Sequence, residues 1–89
     1  MTEAKVTSYT LTELKEDDGP ATLVLDFKAT VRVKGQVIEF VECSTYDSHN
    51  AGVISDDLGI SIEEASEVVA AIDKAGNAVL DRIIKEGQW

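Results

Sequence analysis

Apolar and polar residues alternate through residues 22–34. Leu23, Leu25, Phe27, Ala29, Val31 and Val33 take every second position, and Thr22, Asp26, Lys28, Thr30, Arg32 and Lys34 mostly fill the places between them. Successive side chains of a strand point to opposite sides, so this period of two predicts a strand with one buried face. Lys34-Gly35-Gln36 follows as a turn, Gly35 being free to take positive φ, and Val37-Ile38-Glu39-Phe40-Val41-Glu42-Cys43 makes a second arm. A loop of even length pairs odd positions with even ones, which places Ile38 and Phe40 on the face of Val31 and Val33 and predicts both buried. A Gly35-Gln36 loop sets Arg32 opposite Glu39, an opposite-charge pair worth about 0.2–1 kcal/mol. A Lys34-Gly35 loop is the other even-length solution.

Residues 5–14 are rich in Thr and carry Val6, Tyr9, Leu11 and Leu14, which predicts a third strand with untidy alternation. Glu16-Asp17-Asp18-Gly19-Pro20 breaks regular structure, because Gly and Pro punctuate and the charges are solvated. A three-stranded antiparallel meander is the simplest arrangement of these pieces. Residues 44–52 are polar and aperiodic, and they predict a surface loop.

Ser61 then fits a helix N-cap, with Glu64 completing a capping box and Ile60 and Ala65 placed for a hydrophobic staple. Ile62, Ala65, Val69, Ile72, Gly76, Val79 and Ile83 form an apolar stripe at spacings of three and four, widened by Val68 and Ile84. Gly76-Asn77 allows either one long helix, kinked there, or two helices hinged at that point. Gly87 is placed to end the helix, leaving Gln88 and Trp89 as a tail. The predicted fold is α+β, in the order β-β-β-α or β-β-β-α-α, with residues 1–89 forming a single small domain around one core.

Charge changes this picture from fold to function. The chain has 17 acidic residues against 8 basic ones, a net charge of -9. Such a charge repels phosphate backbones and anionic lipid, so direct binding to nucleic acid or membrane is disfavoured, while a basic surface on a protein partner is attracted. Simple solubilisation is the competing role for the same charge. Cys43 is the only cysteine, so neither an intramolecular disulfide nor a thiol zinc site can form. Met1-Thr2-Glu3-Ala4-Lys5 lacks the features of a signal peptide and no run reaches the ~20 apolar residues of a membrane span, so a cytoplasmic location is expected.

The candidate chemistry is thin. The run from Ile54 to Ile62 resembles the turn of a helix-turn-helix, but the following residues are Ile62-Glu63-Glu64-Ala65-Ser66-Glu67, whose carboxylates would meet phosphate. Residues 47–58 imitate a calcium loop, with Asp47 first, Gly52 sixth and Ile54 eighth, yet His49, Ala51 and Leu58 stand where oxygen ligands are needed. Cys43, Asp47 and His49 could be drawn as nucleophile, orienter and base, although a cysteine closing an alternating strand is more commonly a small buried hydrophobe. The adjacent pairs Asp56-Asp57 and Glu63-Glu64 diverge by about 100° on a helix and suit a solvated face better than a metal site. No cofactor or metal is expected. Val24, Val37 and Val41 fall on the sheet face opposite Leu25 and Phe27, making that face more apolar than solvation requires.

The sequence therefore points to a non-catalytic interaction module, a regulator or inhibitor presenting Glu16, Asp17, Asp18, Asp56, Asp57, Glu63, Glu64 and Glu67 to a basic partner surface. Its sharpest form is a nucleic-acid mimic of the kind phages and other mobile elements direct at DNA-handling enzymes. Two other classes stay open: a homo-oligomeric structural or assembly protein joined through its surplus apolar surface, and, with less support, a small enzyme built on Cys43 and His49.

Overall fold

The computed structural model describes residues 2–15, 19–46 and 49–87. Three strands, β1 (Glu3–Leu14), β2 (Thr22–Val33) and β3 (Gln36–Ser44), are followed by helices α1 (Ala51–Leu58) and α2 (Ile62–Glu86). The strands form one antiparallel sheet in the order β1-β2-β3, so the α+β meander expected from the alternation is the observed fold. Extents of 42 × 26 × 17 Å describe a slab two layers thick, sheet against helix. Its length is set by α2, whose 25 residues at about 1.5 Å each run nearly the whole long axis.

The hairpin resolves in favour of the shorter loop. Val33 faces Gln36, and Lys34 and Gly35 both take positive φ, 50° and 76°. Two left-handed residues in succession match the right-handed twist of the flanking strands, the requirement of a type I′ turn. Arg32 consequently faces Val37, and Glu39 faces Thr30, so the Arg32–Glu39 pair expected from a Gly35-Gln36 loop does not form. The acidic position opposite Arg32 is Glu3, on β1. Because the loop is of even length in either case, Ile38 and Phe40 do turn inward, where they lie half-buried against the core.

Both outer strands carry a bulge at the level of Lys28. On β1 the register slips between Val6 and Ser8, where the Thr7 hydroxyl donates to the Lys28 carbonyl at 3.3 Å. On β3 it slips between Phe40 and Cys43. An extra residue reverses the alternation, so Phe40 and Cys43 both face inward although three positions separate them. Cys43 thereby joins the core, where it is 3% exposed.

That core lies between the inner face of β2 and one stripe of α2. Leu25, Ala29 and Val31 are fully enclosed, as are Ala65 and Val68, with Ile72 nearly so. The stripe is displaced slightly from its predicted line: Val68 is at its centre, whereas Ile62 in the first turn stays exposed. Gly76 is buried against Phe27, and a Cβ placed there would sit 2.5 Å from two ring carbons. The glycine is thus a seat for an aromatic ring, and α2 passes through Gly76-Asn77 without interruption. The Lys34–Glu64 ion pair (3.2 Å) fixes the start of α2 beside the β2–β3 turn, so from there to Phe27 the helix runs back along β2 in the opposite sense.

The helical break falls earlier than Gly76. Gly59, left-handed at φ 65°, closes α1 by donating its N–H to the Ser55 carbonyl, and Ser61 opens α2 with the predicted capping box. α1 also begins inside the stretch expected to be loop, because the Asn50 side chain accepts from the N–H groups of Gly52 and Val53 at 2.8 and 3.3 Å. Those contacts replace partners that the first helical turn cannot supply for itself.

Candidate functional site

The acidic candidates divide according to where the fold puts them. Asp56 and Asp57 are exposed on α1, and Glu63 and Glu67 are exposed on the first two turns of α2, on either side of the turn at Gly59. Glu63 and Glu64 also suit that position for a local reason, since negative charge is stabilised by the partial positive charge of a helix N-terminus. Glu16, Asp17 and Asp18 lie outside the described residues.

Glu64 is committed to the fold. Its carboxylate accepts from the Ser61 hydroxyl at 3.1 Å and from the Ser61 N–H at 3.4 Å, and it pairs with Lys34 Nζ. The Lys34 ammonium, then the Ser61 donors, hold its carboxyl below the ordinary glutamate range despite a partial opposing effect of burial. This residue ties the β2–β3 turn to α2 and has less capacity left for a partner than its neighbours.

A signal that total charge conceals is where the charges fall. Residues 35–73 hold nine of the 17 carboxylates and none of the eight lysines and arginines. The rest of the chain is balanced, eight against eight, so this one segment accounts for the whole net charge of -9. It comprises β3, α1 and the first half of α2. Glu39, Glu42, Asp56, Asp57, Glu63 and Glu67 are all exposed within it. The Lys34–Glu64 pair is the only ion pair among the described residues, so nothing basic neutralises those six at contact distance. Sequence reasoning selected the helical carboxylates and missed Glu39 and Glu42 of β3, which positional counting of charge would have found.

A second feature is an open cleft of about 610 Å³ at the level of the two bulges. The register lines up Thr10, Asp26 and Ser44 as one rung across the three strands on the open sheet face, with Ser8 and Lys28 on the next. Asp26 Oδ2 accepts from the Thr12 hydroxyl at 3.3 Å. Cys43 and His49 both border this cleft, yet their environments separate them. The Cys43 thiol points to the Phe40 carbonyl at 3.8 Å, and burial, with Asp73 adding to it, pushes the thiol pKa up. An activated thiolate needs the opposite shift. His49 sets its ring edge-on to Phe40, 5.9 Å between centroids, and no hydrogen bond joins it to Cys43. Asp47, the third member of the trio, lies outside the described residues.

The remaining motifs have plain structural roles. Residues 51–58 of the calcium-loop imitation are helical, and Asn50 is occupied in capping. Among the described residues no group of three or more His, Cys, Asp or Glu side chains is placed to hold a metal ion. No helix there is long and apolar enough to cross a membrane. Of the three valines expected on the open sheet face, Val24 is buried at 5% outside the main core cluster, whereas Val37 and Val41 are exposed. Comparison with family models, with curated proteins and with solved structures finds no match to this chain, and its own residues carry the functional reading.

Proposed function

We propose that the chain is a non-catalytic interaction module that docks its acidic side on a basic surface of a protein partner. The observation that carries this reading is the confinement of the whole net charge to residues 35–73. Charge serving only solubility works best with both signs interspersed, whereas a field of one sign steers a complementary surface and speeds encounter. Asp56, Asp57, Glu63 and Glu67 supply the helical part of that surface, and Glu39 and Glu42 the strand part. In its sharpest form the module is a regulator or inhibitor that mimics nucleic acid, its carboxylates standing where a DNA-handling enzyme expects phosphates. The raised thiol pKa of Cys43 supports a binding role over a nucleophilic one.

The test is affinity against salt for the partner recovered with this chain from its native host. Surface charge is screened within about 10 Å at 0.1 M salt, so affinity should fall steeply as salt rises. Replacing Asp56, Asp57, Glu63 and Glu67 with their amides should weaken binding, while Glu3→Gln and Glu13→Gln in the balanced part should not. A complex indifferent to salt, or equally sensitive to both sets, removes the proposal.

A further inference from the structure

Among the elements of the fold, β3 combines features the docking proposal does not itself require. It is an edge strand, bonded to β2 on one side only. α1 lies chiefly against α2, α2 touches β3 lightly, and His49 ahead of α1 covers part of Phe40 from the inner face while the hydrogen-bonding edge of β3 from Gln36 to Phe40 is left without a strand partner. An edge strand presents a row of unpaired N–H and C=O groups, a template for a further strand. Proteins usually blunt such edges with lysine, proline or inward charge, and β3 has none of these before its bulge. Val37 and Val41 are 63% and 56% exposed, and Ile38 and Phe40 are only half-buried at the rim of the core. The strand is therefore short of apolar cover on both faces, and its charges, Glu39 and Glu42, are both negative.

From this arrangement we infer that the open edge of β3 accepts an extended, basic segment of the partner as a fourth strand. The inference rests on the acidic-docking reading and gives it a geometry. Main-chain hydrogen bonds along the stretch from Gln36 to Phe40 hold the segment, and side chains at alternate positions select it. Apolar residues on one face of the added strand cover Ile38 and Phe40, and Lys or Arg on the other meets Glu39 beside Val37. A second copy of this chain fits worse, because two β3 edges bring carboxylates together without a single lysine or arginine in either.

The experiment uses the full chain and a short synthetic peptide alternating Val and Lys, with two controls. One control alternates Val and Glu; the other is the Val–Lys peptide N-methylated at alternate residues, which keeps its charge but loses backbone donors. The Val–Lys peptide should bind in a salt-sensitive way and slow amide exchange within residues 36–44. The N-methylated form should bind at least about tenfold more weakly, several lost hydrogen bonds of roughly 1 kcal/mol each, and the Val–Glu peptide not at all. Equal, salt-sensitive binding of both Val–Lys peptides with unchanged β3 exchange overturns strand addition and leaves carboxylate docking intact. No salt-sensitive binding of either overturns both. Protection of β1 in place of β3, or a dimer of the free chain protected at β3, also overturns the inference.

Discussion

β1 and β3 occupy equivalent places on the two sides of β2, each bent by a bulge at Lys28, and their chemistry is opposite. β1 is a Thr- and Ser-rich strand, exposed along most of its length, and it mixes Glu3 and Glu13 with Lys5. β3 is Val-Ile-Glu-Phe-Val-Glu at its centre, with carboxylates as its only charges. A polar edge with both signs of charge is satisfied by water and offers little to another strand. An apolar edge with one sign of charge is the more receptive of the two, and the proposed strand addition predicts that docking uses β3 and not β1.

The largest expected effect tests what the two edges share. Both hang on β2, whose Phe27 ring seats on Gly76, so Phe27→Ala should destabilise the chain by about 3–5 kcal/mol, most of what a small domain has. Amide exchange should then quicken in β1 and β3 alike; loss confined to one edge would mean that the strands are held independently. Gly76→Ala should also destabilise, by about 1–3 kcal/mol from overpacking, although alanine is the better helix former. Combined with Phe27→Leu its penalty should shrink, and additive losses in that double-mutant cycle would contradict the close contact.

Charge reversal separates the edges directly. Glu39→Lys on β3 should raise the dissociation constant of the Val–Lys peptide about tenfold, while Glu13→Lys on β1 changes it little. Both are exposed, so each should alter stability by no more than about 0.5 kcal/mol in chemical denaturation. Equal effects on binding would erase the distinction.

Anchoring differs as well, since the β2–β3 turn is pinned to α2 through Lys34, Glu64 and Ser61. Ser61→Ala should cost about 1 kcal/mol, read by thermal or denaturant unfolding.

The smallest effects are those of pH, and among the described residues two groups have displaced pKa values: Cys43 on β3, and Glu64 of α2, paired with Lys34 at the turn before β3. Glu64 has a lowered folded-state pKa, so its contribution is present above the ordinary glutamate value and is lost as pH falls through the lowered one. Cys43 is shifted upward, so the folded chain keeps a neutral thiol where the unfolded chain ionises. Stability should decline as pH rises above the ordinary thiol value. Denaturation midpoints should follow this for the native chain, with the alkaline limb flattened in Cys43→Ala and the acid limb flattened in Lys34→Ala. Alkylation of Cys43 at neutral pH should be slow, and rapid labelling would restore the thiol as a candidate nucleophile.

Much of the fold is legible in the chain because the relevant signals are local. The alternation from Leu23 to Val33 requires a strand with one buried face, and parity carries Ile38 and Phe40 to that face for any loop of even length. Ser61 and Glu64 mark the start of α2 by their own hydrogen bonds. The exposure of Asp56, Asp57, Glu63 and Glu67 was legible for the same reason, since each falls off the apolar positions of its own helix. What escaped was non-local. Choosing Lys34-Gly35 over Gly35-Gln36 depended on strand twist demanding two positive-φ residues, one of them a lysine. Glu39 and Glu42 belong to the stretch of one-signed charge, which the total of -9 conceals and the order of the charges along the chain shows.

By itself, the sequence determined the three-stranded meander, the buried face of β2, the capped start of α2, and the confinement of negative charge to one stretch, because period, capping and charge are properties of neighbouring residues. Only the tertiary structure decided that Gly76 is a seat for Phe27 and leaves α2 unbroken, that α1 begins within the expected loop, and that a bulge turns Cys43 into the core. Each of those depends on which surfaces meet across the slab, and a glycine or a cysteine carries no local mark of what will be packed against it.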